Sequence, residues 1–197
     1  MMGTGVSMKD GLQSALLEAI VRVGWTHKIQ EKQADEYRCL NDCWTITQLV
    51  TAGLTSTGAV TILISNSYYA KVLTVLVGLI SFISSGVLKA WNFQTLATQS
   101  KAYANKQLVL RDKLLDALRD LVFDLKSDSE IQEVWEQLEQ ERLNLAPEAM
   151  PTSDKAVKKA DKQLKKRHDN ETDTDYKLFI SAEILKKMSI ETCGCRK

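Results

Sequence analysis

Residues 43–88 read CWTITQLVTAGLTSTGAVTILISNSYYAKVLTVLVGLISFISSGVL and contain a single charged residue, Lys71. Charged residues make up 26% of the 197-residue chain. A segment of this length with average composition would therefore carry about 12 of them. Such a depletion of charge is not typical of a soluble globular domain, and it indicates a segment that lies in a membrane.

This block divides into two candidate transmembrane helices, residues 44–65 and residues 72–91. The first has 22 consecutive uncharged residues, enough at about 1.5 Å per residue to cross a hydrocarbon core of about 30 Å. The second reaches Trp91 because the side chain of Lys89 can extend to the interface. A turn over residues 66–71 joins the two spans. A buried hairpin in a soluble bundle is the alternative, but a core helix is seldom uncharged on every face.

Aromatic and basic residues predict how the hairpin is oriented. Trp44 and Trp91 mark one membrane interface, and Tyr68 with Tyr69 marks the other, where amphipathic rings are favoured. Lys71 is the one basic residue of the connecting turn. Six basic residues flank the outer ends of the spans: Lys28, Lys32, Arg38, Lys89, Lys101 and Lys106. The positive-inside rule therefore places both termini in the cytoplasm.

The whole chain is predicted to be an all-α membrane protein, a two-transmembrane helical hairpin with long amphipathic cytoplasmic helices on both sides. Gly24 is expected to interrupt the helices before the hairpin. No glycine or proline occurs between Gly86 and Pro147, so the second membrane helix is expected to continue into the cytoplasm. The predicted regions are N-terminal cytoplasmic helices (1–42), the hairpin (43–91), a cytoplasmic helical, coiled-coil-like region (92–145), and a linker with a basic tail (146–197).

Four leucines after the hairpin follow the spacing of a short coiled-coil seam: Leu114, Leu118, Leu121 and Leu125. We interpret them as an oligomerisation seam, and packing of an amphipathic helix within its own subunit is the alternative. Ser127 and Glu130 have the spacing of a capping box that opens a further helix. Residues 155–167 hold seven basic residues and one Asp, which indicates a solvated helix face or a surface for an anionic ligand.

Small and hydroxyl residues recur at helical spacing in both spans and are candidates for pore lining or for helix packing. The first-span stripe comprises Thr47, Thr51, Thr55, Gly58 and Thr61, and the second-span stripe comprises Thr74, Gly78, Ser81 and Ser85. Small residues let membrane helices approach closely, and their hydroxyls can bond across the interface. Two stripes exceed what one hairpin needs, so we expect the first-span stripe to line the axis of a multimer.

The residues that usually carry catalysis form no recognisable pattern. Cys39 and Cys43 lie one helical turn apart, and Cys193 and Cys195 have no second pair at metal-site spacing. His27 and His168 have no catalytic partner in the sequence. We therefore expect no catalytic, cofactor or metal site and no enzymatic activity. The net charge of +1 argues against direct nucleic-acid binding.

The order of elements resembles the SLATT family, the SMODS and SLOG-associating two-transmembrane effectors of bacterial conflict systems. The resemblance covers residues 10–145. It is carried by an amphipathic helix and a helix with Trp25 and Tyr37 before two closely spaced spans, and by Lys101, Tyr103 and Lys106 after them.

The resemblance implies a pore-forming or membrane-disrupting effector in the bacterial inner membrane that acts in antiviral defence. It would be triggered by a nucleotide signal or a partner sensor, and it would cause growth arrest or cell death by abortive infection. The implied partners are the lipid bilayer, further copies of the chain, and a nucleotide-second-messenger synthase, nucleotide sensor or reverse transcriptase encoded nearby. The alternative is a membrane-anchored helical scaffold that tethers a cytoplasmic partner, which needs apolar helices but no polar stripe.

Overall fold

The computed structural model describes residues 8–64, 67–167 and 179–187, and no strand occurs among them. The fold is all-α, as the sequence predicts. The elements are α1 (Met8–Ile64), α2 (Tyr68–Trp91), α3 (Phe93–Val122), α4 (Asp128–Leu145), a 3₁₀ turn (Ala146–Glu148), α5 (Asp154–Arg167) and α6 (Ala182–Lys187).

The chain divides into two compact units rather than the four predicted regions. The hairpin unit comprises residues 33–99, and the helical unit comprises the residues up to Lys32 together with those from Ser100 onward. The boundaries therefore do not coincide with the predicted limits of the membrane hairpin at residues 43 and 91. Two separate chain segments build the helical unit, and a sequence pattern does not show which distant segments pack together.

Helix α1 runs through Gly24 without interruption, so the predicted break at this residue is wrong. A Cβ atom at Gly24 would lie 2.5 Å from Cε1 of Phe179, closer than atoms in contact can approach. The ring of Phe179 also meets Trp25 edge to face, with 6.5 Å between the ring centroids. Gly24 thus lets an aromatic ring pack directly on the helix backbone, which is a packing role and not a helix break.

Helical structure continues beyond the second membrane helix to Val122, with one interruption at Asn92, where α2 ends and α3 begins. Asn92 adopts the left-handed conformation, with φ 43° and ψ 51°, and its N–H donates to the carbonyl of Leu88 at 3.1 Å. Asparagine tolerates this conformation better than most residues and often ends a helix in place of glycine. The predicted turn at residues 66–71 is also shorter than expected, since Tyr68–Lys71 already form the first turn of α2.

The core of the helical unit is formed by apolar side chains from both of its chain segments. Leu114, Leu118 and Leu121 are buried in it, whereas Leu125 is 65% exposed. The first three leucines therefore pack within one subunit, and the structure corrects their interpretation as an oligomerisation seam. Their neighbours in the core are Leu16, Ile20 and Val23 from α1, Ile131 and Leu138 from α4, and Ile184 and Leu185 from α6.

The described residues after position 146, 147–167 and 179–187, are an integral part of the helical unit and not a separate tail. The side-chain amide of Gln30 donates to the carbonyl of Met150 at 2.7 Å, and Lys106 pairs with Glu148 at 2.5 Å. Ala156 and Ala160 bury one face of α5. His168, Cys193 and Cys195 lie outside the described residues.

The predicted capping box at the start of α4 is confirmed. The Oγ atom of Ser127 accepts a hydrogen bond from the N–H of Glu130, and the Glu130 carboxylate accepts one from the N–H of Ser127. This reciprocal pair satisfies two backbone donors that would otherwise lack partners at the helix start.

Candidate functional site

The candidate membrane segment begins at Tyr68. Within the described residues, one helix is long and apolar enough to cross a membrane, because an 18-residue stretch of it has a mean hydropathy of 2.0. Only 6% of the residues in that stretch are buried inside the protein. Large apolar side chains such as Leu73, Val75 and Phe82 point outward from α2. A surface of this composition is stable against lipid and unfavourable against water.

The two small-residue stripes meet inside the hairpin unit, where glycines allow a close helix approach. A Cβ atom at Gly58 would overlap Oγ1 of Thr74 and would lie 3.2 Å from Cβ and Cγ2 of the same residue. A Cβ atom at Gly78 would lie 3.6 Å from Cγ2 of Thr55. Each stripe therefore supplies the glycine that accommodates a threonine of the other, an arrangement typical of packed membrane helices.

A side-chain hydrogen bond joins the same two helices near their other end. Nε2 of Gln48 donates to Oγ of Ser85 at 2.9 Å, and that hydroxyl donates to the carbonyl of Ser81 at 3.0 Å. A side-chain amide in an apolar environment needs such a partner, because leaving it unpaired costs several kcal/mol. Sequence analysis did not assign this contact, although a single glutamine in an uncharged span was a signal for it.

Thr51, Thr55 and Gly58 of the first-span stripe form a packing surface in the single chain, and for these residues this replaces the expectation that they line an axis. Thr51 is only 9% exposed. Its hydroxyl donates to the carbonyl of Thr47 at 2.7 Å, and the hydroxyl of Thr55 donates to the carbonyl of Thr51 at 2.8 Å. These hydroxyls are satisfied by their own helix and need no water. Thr61, at the end of the stripe, is exposed.

A second set of small and polar residues faces outward from the first span, and the sequence analysis assigned only Thr61 among them. We define the outer polar patch as Gly53, Ser56, Thr57 and Thr61, all of which are exposed. A Cβ atom at Gly53 would meet no atom within 4 Å. The hydroxyl of Thr57 donates to the carbonyl of Gly53 at 3.1 Å, which leaves its oxygen lone pairs directed outward. The patch was detectable because all of residues 52–61 except Leu54 and Val60 have small side chains.

In the helical unit, two of the basic residues used to predict topology hold a partly buried carboxylate. Nζ of Lys28 lies 2.7 Å from Oε2 of Glu31, and Nζ of Lys101 lies 3.0 Å from Oε1. Burial by itself raises the pKa of Glu31, but the hydrogen bonds from the two lysines outweigh it and lower this pKa to about 2. The cluster joins α1 to α3, and the Glu31 carboxylate stays ionised at neutral pH.

His27 lies one turn before this cluster and is held as a neutral ring. Its Nδ1 atom lies 2.8 Å from the carbonyl oxygen of Ala104. Burial lowers the pKa of His27 below its ordinary value, although the bond to that carbonyl acts in the opposite direction. The neutral ring donates its Nδ1–H to the carbonyl, which fixes the tautomer and links α1 to α3.

A cleft of about 200 Å³ lies between α1 and α4. Two internal ion pairs line it, Arg22 with Glu18 and Arg142 with Glu139, and Trp135 forms part of its wall. The opposite charges in each pair compensate one another, so the cleft presents little net charge. Among the residues that the structure describes, no group of three or more His, Cys, Asp or Glu side chains is placed to hold a metal ion.

Comparison with known families decides the identity of the chain. Residues 12–175 match the model of SLATT_4, described as SMODS and SLOG-associating 2TM effector domain family 4. The chain belongs to this family. The match confirms the resemblance to SLATT and extends beyond residue 145 to include α5. No curated protein and no solved structure matches the chain.

SLATT membership identifies the chain as a membrane effector of a conflict system. The family is named for its association with SMODS and SLOG proteins and for two transmembrane segments. Helix α2 supplies one long apolar helix of the kind that a SLATT domain requires.

The aromatic residues predicted as membrane-interface anchors in this SLATT protein differ in their exposure. Tyr68 and Tyr69 are exposed and meet edge to face, with 6.1 Å between the ring centroids. Trp91 is also exposed, and its ring stacks on Phe93 at 6.3 Å. Trp44 is half-buried. Their role at a membrane interface stays a prediction.

Proposed function

We propose that this SLATT protein is a pore-forming effector of the bacterial inner membrane, with both termini in the cytoplasm. Residues 44–64 of α1 and helix α2 are its two spans, and several hairpins assemble around a central axis. The observation that carries the proposal is the outer polar patch. It places glycine and hydroxyl residues on the outward face of a span in which Gln48, Thr55 and Gly58 are already used for packing.

The two helices of the hairpin differ in the surface that they present outward. Most exposed side chains of α2 are large and apolar, whereas α1 exposes Gly53, Ser56, Thr57 and Thr61 together with Leu54 and Val60. Against lipid, small hydroxyl residues bury less apolar surface than leucine or valine does. Against a water-filled axis, their oxygens accept hydrogen bonds from water. The difference favours an assembly in which α2 faces lipid and α1 faces the axis.

Apolar side chains continue the same face of α1 toward Trp44 and supply a gate. Ile46 is 61% exposed and Leu49 is 73% exposed, and both lie on the face that carries Gly53 and Ser56. A ring of such side chains closes a narrow pore because water leaves an apolar constriction. In this proposal the patch forms the wider part of the pore and these two residues hold it shut.

We propose that a nucleotide signal, made or sensed by an associated SMODS or SLOG protein, opens this gate. The name of the family supports this partner class, since it records an association with SMODS and SLOG proteins. A reverse transcriptase encoded nearby is a further candidate partner. Ion leakage through the open pore would stop growth or kill the cell, and this outcome limits spread of an infecting phage.

A membrane-anchored scaffold is the second candidate function. It is favoured by the contacts of Gly58 with Thr74 and of Gly78 with Thr55, because these use the two original stripes to close one hairpin. A scaffold predicts membrane insertion without ion flux.

The test is ion flux from vesicles that contain the full-length protein. We expect the double variant Ser56→Leu with Thr57→Leu to reduce flux at least tenfold, because four-carbon side chains replace small polar ones on the pore wall. Ala59→Leu is the matched control, since Ala59 is exposed but lies outside the patch. If the double variant conducts ions as well as the wild type does, this face of α1 does not line the pore. If neither the wild type nor any variant conducts ions, the scaffold is favoured.

A further inference from the structure

Two neighbouring helices of the helical unit carry opposite charges of equal size. Helix α4 contains six acidic residues and one Arg, a net charge of −5. Helix α5 contains seven basic and two acidic residues, a net charge of +5. The chain as a whole is nearly neutral, so this separation of charge is a local property of the two helices.

Central charged side chains lie on the outward faces of both helices. Helix α4 packs into the core through Ile131 and Leu138, which leaves Glu133 and Glu136 exposed on the opposite side. Helix α5 packs through alanines one turn apart, and its lysines at positions 158 and 162 are exposed, also one turn apart. We call these surfaces the acidic face of α4 and the basic face of α5.

Little within the described part of the chain neutralises these faces. Glu136 accepts a hydrogen bond from the amide of Gln132 at 2.7 Å, which leaves its charge in place. Neither Glu133 nor Lys158 nor Lys162 forms an ion pair with a described residue. By contrast, Glu139 and Glu141 on the flanks of α4 are paired with Arg142 and Lys113. The central charges of both faces are therefore available to bind another molecule.

We propose that the acidic face of α4 binds the basic face of α5 of a second copy of this chain. Charge complementarity identifies a second copy as the partner, because every copy carries both an acidic face and a basic face. A contact between two different surfaces is heterologous, and repeated around an axis it closes into a ring. The inference deepens the proposed function, on which it rests, by naming the contact that brings the hairpins together.

The expected strength of this contact is modest and suits a membrane protein. Each exposed ion pair changes a dissociation constant by about 1.5- to 5-fold, so two pairs give about 2- to 25-fold. Complementary charge mainly sets the orientation and the choice of partner. Confinement to a bilayer raises the effective concentration of the copies, so that a weak contact is enough to order them.

Charge reversal in the full-length protein tests the proposal, with chemical cross-linking in vesicles at low salt as the measurement. We expect Lys158→Glu with Lys162→Glu, and separately Glu133→Lys with Glu136→Lys, to reduce the cross-linked oligomer at least twofold. All four changes together should restore it, because the two faces exchange their charges. Arg119→Glu with Lys126→Glu is the control for the lysine variant, since it lowers the net charge by the same amount at exposed positions outside α4 and α5.

The outcomes separate this inference from the function on which it rests. No restoration in the fourfold variant would overturn the proposed contact. An effect of the lysine changes without an effect of the glutamate changes would also overturn it and would indicate binding to anionic lipid. If the fourfold variant restores oligomers that conduct no ions, the proposed contact is supported and the pore is refuted. If ion flux occurs but no charge reversal changes it, the pore is supported and the contact is refuted.

Discussion

Gly58 lets the two helices of the hairpin approach each other, and Gly58→Ala is expected to weaken their packing. The added Cβ would overlap Oγ1 of Thr74 and approach its Cβ and Cγ2 to 3.2 Å. Carbon atoms in favourable contact lie about 3.5–4.0 Å apart. Thr74 has little freedom to move away, because its hydroxyl donates to the carbonyl of Ala70 at 2.8 Å. The helices must therefore separate locally.

The cost of this separation follows from the contacts that it strains. Overpacking of this kind costs about 1–3 kcal/mol. Stretching the hydrogen bond from Gln48 to Ser85 adds about 0.6 kcal/mol, a typical value for such bonds between membrane helices. Alanine has a higher helix propensity than glycine, and this stabilises the variant by up to about 1 kcal/mol. Gly53→Ala gains the same propensity without a clash, since no atom lies within 4 Å of its Cβ position.

The free energy of unfolding of the hairpin in bicelles, measured by steric trapping, compares these two variants directly. We expect Gly58→Ala to be less stable than Gly53→Ala by about 1–3 kcal/mol. Adding Thr74→Ala to Gly58→Ala should recover most of the difference, because it removes two of the three crowded atoms. Equal stability of the two alanine variants would refute the close approach of the helices at Gly58.

Three further predictions concern the helical unit and the topology. Glu31→Gln should cost about 1–2 kcal/mol at pH 7 after allowance for solvent exposure. Because the folded pKa of Glu31 is about 2, below the ordinary 4.5, this difference is present above pH 4.5 and lost as the pH falls toward 2; a constant difference in urea unfolding across that range would contradict it. Leu118→Ala should lower the free energy of unfolding by about 2–5 kcal/mol, because this buried side chain leaves a cavity; lost oligomers with unchanged unfolding would instead support the seam. A cysteine at Ser67 should be labelled from outside intact cells and one at Thr152 should not, in a protein without its native cysteines; the reverse pattern would invert the topology.

The sequence was sufficient to predict the all-α fold and the family because both depend on how charged and apolar residues are distributed along the chain. The uncharged block at residues 43–88 is visible without knowledge of any contact. The capping box of Ser127 and Glu130 was equally accessible, since it depends on two residues three apart.

The sequence was insufficient wherever a residue's role depends on a distant neighbour. Periodicity places Thr55 and Gly58 on one helix face, but it does not show whether that face meets α2 or a central axis. The leucines at 114, 118 and 121 have the spacing of a seam whether they pack in one subunit or between two. Gly24 reads as a helix break until Phe179, more than 150 residues later, is seen to occupy the space beside it.

The conductance of planar bilayers that contain the purified full-length protein tests the central claim most directly. A pore predicts discrete current steps, which Ser56→Leu with Thr57→Leu makes smaller or abolishes and which Ala59→Leu leaves unchanged. Leu49→Ser should raise the fraction of time spent open, because a polar side chain admits water to the apolar constriction. A silent bilayer with demonstrably inserted protein, in the presence as well as the absence of the proposed SMODS or SLOG partner, would contradict the account.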